Sequence, residues 1–394
     1  MSQEDCTAAL AGKTGILIGG GGFVGGALMH FFKSFAGGAV NVFSPNSKKL
    51  SLLEADDIRR YFERVRPDFI INCAIAALGS DAQLSCGINY LGAVALARAA
   101  LELHIPYIHV SSAAVMPSGT DLREEDRLAL GAALPHYAKS KLMAELALEQ
   151  LAPGGLDYSI VRLGIVYGTH DHKIQGFQRL LFAVVNRGMP FLFTNRRVRH
   201  SYSNVRKLPC LVARMLAHRP EFSGQIYNFV DAEPVALGQV ILALRDSLGL
   251  RVPRAIYLPY PLARLGMGAV ARVVGLVRRL GVEARLPPEV MFFRNLYQSQ
   301  ALSPAKLRDS SFRDPEPTAT VFSEIPYLLR YYIRRWEEQG LIRAGARELD
   351  DSALRAQRFV QDPAALLQEV AEQSRHPFLR QCSLEHHEEP PAKG

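Results

Sequence analysis

The sequence predicts an α/β protein, in which a doubly wound parallel sheet of the Rossmann type is followed by a smaller C-terminal lobe. Two observations indicate this fold class. Short apolar runs alternate with helical patterns along the first half of the chain, which is typical of a parallel sheet with helices on both faces. A glycine-rich turn also joins the first apolar run to the first helical pattern, in the stretch GILIGGGGFVGGAL.

The predicted elements alternate regularly up to about residue 168 and less regularly beyond it. The first part has predicted strands at 15–18, 39–43, 69–73, 107–110 and 158–161, and helices at 23–35, 55–65, 88–104 and 135–151. The second part has a predicted strand at 224–230, helices at 237–248 and 323–339, and an apolar stretch with arginines at 257–282. We expect an N-terminal extension (1–12), a dinucleotide-binding Rossmann domain (13–168), a mixed segment that completes the sheet and forms the C-terminal lobe (169–345), and a polar, partly disordered tail (346–394).

The composition is that of a folded protein with reduced cysteines. The chain has 394 residues, of which 48% are hydrophobic and 21% are charged. Its scattered cysteines have no CxxC spacing, so we expect neither a disulfide framework nor a metal site. The N-terminal stretch does not resemble a signal peptide, and no apolar run reaches the roughly 20 residues of a spanning helix. We therefore expect a cytoplasmic protein.

The net charge of +8 is concentrated in two regions. No aromatic-basic pattern or nucleic-acid motif accompanies the basic residues, so we expect no nucleic-acid partner. An anionic cofactor, an anionic substrate or a membrane surface accounts better for the excess. The first region contains Arg196, Arg197, Arg199, Arg206 and Lys207, and the second runs from 251 to 285.

The glycine-rich turn has the spacing of a dinucleotide site. Gly19, Gly22 and Gly25 form a G-x-x-G-x-x-G pattern, and Phe23 and Val24 open the helix that follows. Such glycines permit a sharp turn, close approach of a pyrophosphate, and tight packing of helix on strand. The helix N-terminus then directs free N–H groups at the phosphates. A glycine turn without a ligand is the alternative that this strand–turn–helix context disfavours.

The end of the second predicted strand indicates which cofactor is preferred. An acid is usual there in NAD-binding domains, where it binds the ribose hydroxyls. This chain has Ser44, followed by Lys48 and Lys49, which could attract a 2′-phosphate. The sequence therefore predicts NAD or NADP as the cofactor and slightly favours NADP. Ordinary solvated lysines are the alternative interpretation.

A tyrosine and a lysine are spaced for proton transfer. Tyr137 and Lys141 are at i and i+4 on a predicted helix, so they share one face. A neighbouring ammonium group is expected to lower the pKa of the phenol. Ser112 follows a predicted strand, where a parallel sheet presents its ligand crevice, and its hydroxyl could hold a substrate oxygen. We expect these three residues to be catalytic.

With these pieces in place, the chain resembles the extended short-chain dehydrogenase/reductase family, within the NAD-dependent epimerase/dehydratase superfamily, over about residues 13–340. The matching segments occur in the family's order: GGGGFVG, RPDFIINCAIAA, INYLGAVALARAA, HVSSAAVM, YAKSK, VRLGIVYG and GQIYNFVDAEPV. The resemblance implies that Ser112, Tyr137 and Lys141 are the catalytic triad, and that Asn89 is in a kinked helix that supports the lysine through a water. It also implies that Asn72, Ala74, Leu163 and Ile165 line the ribose and the nicotinamide.

The chain departs from the family at several positions. Ile18 replaces a frequent threonine, and Leu163 replaces a frequent proline. The segment from His200 to Lys207 is basic where the family usually has acids. The substrates of the sugar-nucleotide members are therefore not carried over, whereas the catalytic interpretation is unaffected.

The C-terminal half is most similar to the 3-beta-hydroxysteroid dehydrogenase branch, in FVDAEPVALGQVILALRDSLGL, PRAIYLPYPLARLGMGAVARVVGLVRRLG and LPPEVMFFRNLYQSQALSPAKL. This resemblance implies that the apolar segment 262–280 borders a substrate cleft and contacts membrane. Its arginines would then lie at lipid headgroups, with Leu265 and Met267 facing inward. A core helix with a solvated arginine edge is the alternative.

Three functions are compatible with the sequence. The first is a dehydrogenase for a hydroxyl or ketone of a lipophilic, steroid- or isoprenoid-like substrate. The second is a sugar-nucleotide epimerase or reductase, in which Arg196, Arg197, Arg199 and Arg206 would bind a diphosphate. The third is a non-catalytic dinucleotide-binding regulator, which would not need the three catalytic residues. A homodimer is an open alternative to a monomer.

Overall fold

The structure is a computed structural model that describes residues 8–34, 40–76, 80–187, 197–251 and 296–342. It also describes the backbone of 192–194 and 255–257 and the single positions 260, 261, 265, 268 and 272. The chain divides into two units, Met1–Ile333 and Arg334–Gly394. The predicted tail at 346–394 lies outside the described residues, as does most of the apolar segment 262–280.

The strands, in chain order, are β1 (Thr14–Ile18), β2 (Asn41–Phe43), β3 (Phe69–Asn72), β4 (Tyr107–Ser112), β5 (Gly119–Leu122), β6 (Tyr158–Leu163), β7 (Ile165–Tyr167), β8 (Leu192–Thr194), β9 (Tyr202–Asn204), β10 (Gln225–Phe229), β11 (Ala255–Tyr257) and β12 (Gln300–Leu302). Six of them form one parallel sheet in the order β10-β6-β4-β3-β1-β2. The predicted doubly wound parallel sheet is confirmed.

The helices, in chain order, are α1 (Phe23–Ser34), α2 (Ala55–Val65), α3 (Ala82–Leu103), α4 (His136–Leu151), α5 (Gly176–Val185), α6 (Leu208–Ala217), α7 (Arg219–Phe222), α8 (Leu237–Ser247), α9 (Ala305–Asp309) and α10 (Val321–Glu338). They cover both faces of the sheet because successive strand residues point to opposite sides. Leu17 packs with α1 and α6 on one face, whereas Ile16 and Ile18 pack with α2, α3 and α4 on the other. Burial on both faces explains why these strands are continuous apolar runs.

Helix α3 differs from its prediction in two ways. It begins six residues before the predicted start at 88, and it contains a π-helical turn at Cys86–Leu91. By length and composition it is the one candidate membrane span among the described residues. Half of its apolar window is nevertheless buried, and residues such as Leu96 and Ala97 pack in the core.

Three short strand pairs lie outside the main sheet and were not predicted. They pair β5 with β12, β7 with β9, and β8 with β11, all in parallel. Most of these strands have three residues, which is too short for an alternating pattern to be recognised. The first pair brings the C-terminal part of the chain next to the segment that follows Ser112.

Leu265, expected on the inward face of its segment, is instead 70% exposed. Arg272 is also exposed, so an apolar and a basic side chain of this segment are both accessible.

Candidate active site

The candidate site lies where the winding of the sheet reverses. From β1 the chain passes to β2 on one side and then to β3 on the other, so a crevice forms at the carboxyl ends of β1 and β3. Ligands of open α/β sheets bind at such a switch point. The glycine turn follows β1, and Ser112 ends β4, the next strand beyond β3. The two sequence motifs therefore face the same edge of the sheet.

Glycine is required at two positions of the turn for steric reasons. Gly19 has a φ of +84°, and a Cβ on it would lie 2.8 Å from the backbone at Cys73 and Ala74. A Cβ on Gly25 would lie 2.2 Å from the carbonyl oxygen of Gly19. The absence of a Cβ at these two positions therefore lets the first turn of α1 pack closely against the end of β1.

Gly21 and Gly22 leave the turn open on its outer side, whereas a Cβ on Gly20 would lie 2.2 Å from Ser44 Oγ. A Cβ on Gly21 would meet nothing within 4 Å, and one on Gly22 would meet only the Gly19 carbonyl, at 3.3 Å. Phe23 and Val24, which begin α1, are partly exposed beside this space. The turn therefore has room for a pyrophosphate at a helix N-terminus, which fits the implied dinucleotide.

Ser44 lies over the glycine turn. Its Oγ accepts a hydrogen bond from the backbone N–H of Gly20 at 3.2 Å. Lys48 follows on an exposed turn, where its backbone N–H donates to Asn46 Oδ1 at 3.1 Å. The end of β2 therefore presents a hydroxyl at the turn and two exposed lysines just beyond it.

Ser112 and Tyr137 are brought together from β4 and α4. Ser112 Oγ accepts a hydrogen bond from the backbone N–H of Ala114 at 3.2 Å. Burial raises the pKa of Tyr137, and the neighbouring Ser112 hydroxyl, which favours the phenolate, opposes that rise. The sequence had indicated a lowered pKa. The difference arises because burial of the phenol outweighs the groups that stabilise its anion.

Lys141 lies one turn after Tyr137 and is 1% exposed. Its Nζ donates to the backbone carbonyl of Val110 at 2.8 Å. Burial lowers the pKa of Lys141 to about 8, against the opposing effects of Cys73 and Glu145. A buried amine with this pKa can exchange a proton near neutral pH.

Asn89 lies within the π-helical turn of α3 and is 1% exposed. Its Oδ1 accepts from the backbone N–H of Ala76 at 2.7 Å, and its Nδ2 donates to Ser140 Oγ at 3.0 Å. Ser140 precedes Lys141, so Asn89 ties α3 to α4 beside the lysine. Its side chain contacts neither Lys141 nor Tyr137 in the hydrogen bonds described.

The other expected cofactor residues differ in their surroundings. Asn72 is 1% exposed, and its amide donates to Tyr107 and accepts from the N–H of Ala74. Leu163 packs in the core, whereas Ala74 and Ile165 are partly exposed. The side chains of Asn72 and Leu163 are thus held within the fold.

Three polar residues that sequence reasoning missed lie behind the site. Arg162 on β6 and Glu145 on α4 form an ion pair with both side chains 0% exposed. Ser111, next to Ser112, donates to the same carboxylate. A lone charge in each of the apolar stretches YSIVRL and LMAELAL was the available signal, because buried charges need partners.

The basic residues near 206 are largely neutralised by acids from a distant segment. Arg206 contacts Glu316 and Glu324, each at 2.8 Å. Lys207 is 4% exposed and contacts Asp314 at 2.9 Å. Arg199 donates to the carbonyl of Pro234 at 3.2 Å. Arg196 lies outside the described residues.

Solved structures of two epimerases and a reductase share this fold. An epimerase from Methanothermobacter thermautotrophicus has a TM-score of 0.64 at 17% identity, covering 85% of this chain and 96% of its own. UDP-glucose 4-epimerase from Thermotoga maritima, solved with UDP-glucose, has a TM-score of 0.59 at 15% identity, covering 82% and 100%. dTDP-4-dehydrorhamnose reductase from Bacillus anthracis, solved with NADP, has a TM-score of 0.58 at 15% identity, covering 82% and 99%.

No curated protein sequence matches the chain. A family model, that of the NAD dependent epimerase/dehydratase family, does match it over residues 16–229, which is more than half of its length. The match begins in β1, just before the glycine turn, and ends with β10, the last strand of the main sheet. It therefore includes the proposed triad and both strands that flank the crevice. The chain belongs to the NAD-dependent epimerase/dehydratase family of enzymes.

Proposed function

We propose that the protein is an NAD(P)-dependent oxidoreductase that interconverts a hydroxyl and a ketone. The observation that carries the proposal is that the side chains of Ser112 and Tyr137 lie next to each other, at the sheet edge that also bears the open glycine turn. A binding module would need the turn but not a paired serine and tyrosine beside a buried lysine. This arrangement disfavours a non-catalytic regulator.

The residues divide into those that hold the cofactor and those that handle a proton. Gly19, Gly22 and Gly25 would hold the pyrophosphate, and the nicotinamide, when bound, supplies or accepts a hydride. Ser112 would hold the substrate oxygen, and the phenol oxygen of Tyr137 would pass a proton to it or remove one. Lys141, as a cation, would favour the deprotonated form of Tyr137.

For the substrate we infer a lipophilic ketone or secondary alcohol, as in the 3-beta-hydroxysteroid dehydrogenase branch. Arg206 and Lys207 are paired with Glu316, Glu324 and Asp314, which leaves them poorly suited to bind a diphosphate. A substrate without phosphates does not need them. Leu265, in the segment 262–280 that is expected to border the cleft, and Tyr260, just before that segment, are both exposed and provide apolar surface.

A sugar-nucleotide substrate is the second candidate. It is favoured by the structural neighbours, which include UDP-glucose 4-epimerase and dTDP-4-dehydrorhamnose reductase. Arg197 and Arg199 are exposed on the loop before β9 and could approach a nucleotide. The proton and hydride chemistry would be the same in either case.

A substrate panel distinguishes the two. The purified chain is incubated with NAD, NADH, NADP or NADPH and with steroid, isoprenoid, UDP-sugar and dTDP-sugar substrates, and nicotinamide absorbance is followed. Because an epimerase regenerates its cofactor, sugar products are also analysed by chromatography. Turnover of lipophilic alcohols or ketones supports the first candidate. Conversion of nucleotide sugars alone replaces it with the second, and turnover of none contradicts the proposal.

A further inference from the structure

A buried ion pair lies directly behind the proposed catalytic groups. The Arg162 guanidinium makes three hydrogen bonds to the Glu145 carboxylate, at 2.7, 3.1 and 3.2 Å. Another of its nitrogens donates to the carbonyl of Glu124 at 2.7 Å. Ser111 donates to Glu145 as well, so both charged groups are well supplied with polar partners.

The pair links the elements that carry the triad. Glu145 follows Lys141 by one turn on α4, and therefore shares its face of the helix. Ser111 immediately precedes Ser112 on β4. Arg162 on β6 is the register partner of Ser111. The ion pair thus connects the lysine-bearing helix α4 with β6, and the hydrogen bond from Ser111 to Glu145 connects the same helix with β4, the strand that ends in Ser112.

Stability alone is a poor explanation for such a pair. Removing two charges from water is costly, and well-packed apolar residues of similar volume are often at least as stabilising. A bidentate pair does, however, fix geometry more strictly than apolar contacts do. We propose that Glu145 and Arg162 are positioning residues that hold Lys141 and Ser112 in register and balance the charge around the lysine amine. This inference rests on the proposed function, in which Lys141 acts as a cation.

Charged and titratable groups approach this region from each neighbouring element. Burial lowers the pKa of Lys141, whereas Cys73 and Glu145 raise it. Lys141 in turn lowers the pKa of buried His109. The groups around the amine and the ion pair are Cys73 after β3, His109 on β4, Glu124 after β5, Tyr137 and Glu145 on α4, and Tyr158 and Arg162 on β6.

Substituting Glu145 and substituting Arg162 should shift the pKa of Lys141 in opposite directions. Glu145→Gln removes an anion and leaves the Arg162 cation unpaired, and both changes disfavour protonated Lys141. Its pKa should fall below the wild-type value of about 8. Arg162→Met leaves the Glu145 anion uncompensated, so the pKa of Lys141 should rise. A purely structural pair would not produce shifts of opposite sign.

The test is a pH titration of the full chain labelled with 13C at lysine Cε, followed by NMR, with the Lys141 signal assigned from Lys141→Met. Glu149→Gln is the matched control. Glu149 lies one turn beyond Glu145 on α4 and pairs with Arg127, but the two side chains are 31% and 34% exposed. The control should leave the pKa of Lys141 unchanged. Unchanged or same-direction shifts in Glu145→Gln and Arg162→Met would overturn the inference.

Either single variant can fail to fold, because it leaves a buried charge unpaired. The double variant Glu145→Gln/Arg162→Met removes both charges and avoids that problem. When the double variant is assayed with a substrate from the panel, we expect its kcat to be about tenfold or more below that of the wild type. The KM for the dinucleotide should change little. A wild-type kcat in the folded double variant would overturn the inference. If the two single variants shift the pKa of Lys141 in opposite directions but the wild-type protein turns over no substrate, the result contradicts the proposed function and not this inference.

Discussion

Lys141 donates a hydrogen bond to the backbone carbonyl of Val110 at 2.8 Å, and this contact joins helix α4 to strand β4 two residues before Ser112. The strand and the helix thus meet near Ser112 and Tyr137, the side chains that we propose are catalytic. The lysine reaches this position only by burying its amine. Burial therefore affects both the chemistry and the stability of the protein.

Replacing Lys141 with methionine should stabilise the protein at neutral pH. The pKa of Lys141 is lowered from 10.5 to about 8, mainly by burial. Below pH 8 the native state holds a buried cation, at a cost of up to about 3 kcal/mol. Between pH 8 and 10.5 the unfolded state binds more protons, so wild-type stability rises with pH and the advantage of Lys141→Met shrinks. Urea unfolding at pH 7 and 9.5 measures this, and a variant less stable than wild type at pH 7 would contradict it.

Tyr137→Phe should reduce kcat by about 100-fold or more, because it removes only the hydroxyl that transfers the proton. Dinucleotide affinity, measured by calorimetry, should remain near wild type. Tyr61→Phe on α2, which packs at the edge of the core away from the crevice, is the control and should keep full activity. If Tyr137→Phe retains more than a small fraction of the rate, another group transfers the proton.

Gly22→Val and Gly25→Val should impair different properties of the protein: dinucleotide binding in the first and stability in the second. A Cβ on Gly22 meets the Gly19 carbonyl at 3.3 Å, a contact that a small shift relieves, whereas one on Gly25 would lie 2.2 Å from that oxygen. Gly22→Val should lose dinucleotide affinity by about tenfold or more, with a Tm within about 3 °C of wild type. Gly25→Val should unfold at a clearly lower temperature. Unchanged affinity in Gly22→Val would remove this turn from the cofactor site.

Substituting both Lys48 and Lys49 with alanine should weaken NADP binding more than NAD binding. The two lysines are exposed beyond Ser44, so each contributes little more than a surface ion pair to the 2′-phosphate. We expect a two- to fivefold loss for NADP, roughly 1 kcal/mol or less, and almost none for NAD. Calorimetry measures the affinity for each cofactor, and Lys33→Ala, at the C-terminal end of α1, is the control. Equal losses for both cofactors would exclude the lysines as determinants of preference.

The segment 262–280 is expected to contact anionic membrane surfaces. Leu265 is 70% exposed and Arg272 is also exposed, which suits an apolar group at the headgroup boundary beside a basic one. Changing Arg272, Arg278 and Arg279 to glutamate should reduce flotation with anionic liposomes by at least about tenfold. Neutral liposomes are the control. A wild-type chain that does not float with anionic liposomes contradicts the proposed contact.

The sequence was sufficient for the main sheet because each of its features is local. A parallel strand buried on both faces is a continuous apolar run, and the spacing of Tyr137 and Lys141 follows from helix geometry alone. The ion pair of Arg162 and Glu145 was not predictable, because it depends on how α4 packs against β6.

The same limitation applies to Arg206. Its partners, Glu316 and Glu324, are more than 100 residues away in the chain. Sequence reasoning therefore treated a paired arginine as one available to a substrate. The resemblance to the family implied a kinked helix at Asn89, but the residue pattern alone did not locate the π-helical turn at Cys86–Leu91.

The position of β10 has a consequence for synthesis of the chain. β10 pairs with β6, yet it follows β6 by about 60 residues. At ribosomal rates of about 5–20 residues per second, β6 waits roughly 3 to 12 s for the strand that covers its edge. During that interval its unpaired N–H and C=O groups, on a strand whose side chains are all buried in the native protein, can recruit another chain. The nascent protein is therefore most vulnerable to aggregation after β6 has emerged and before β10 has.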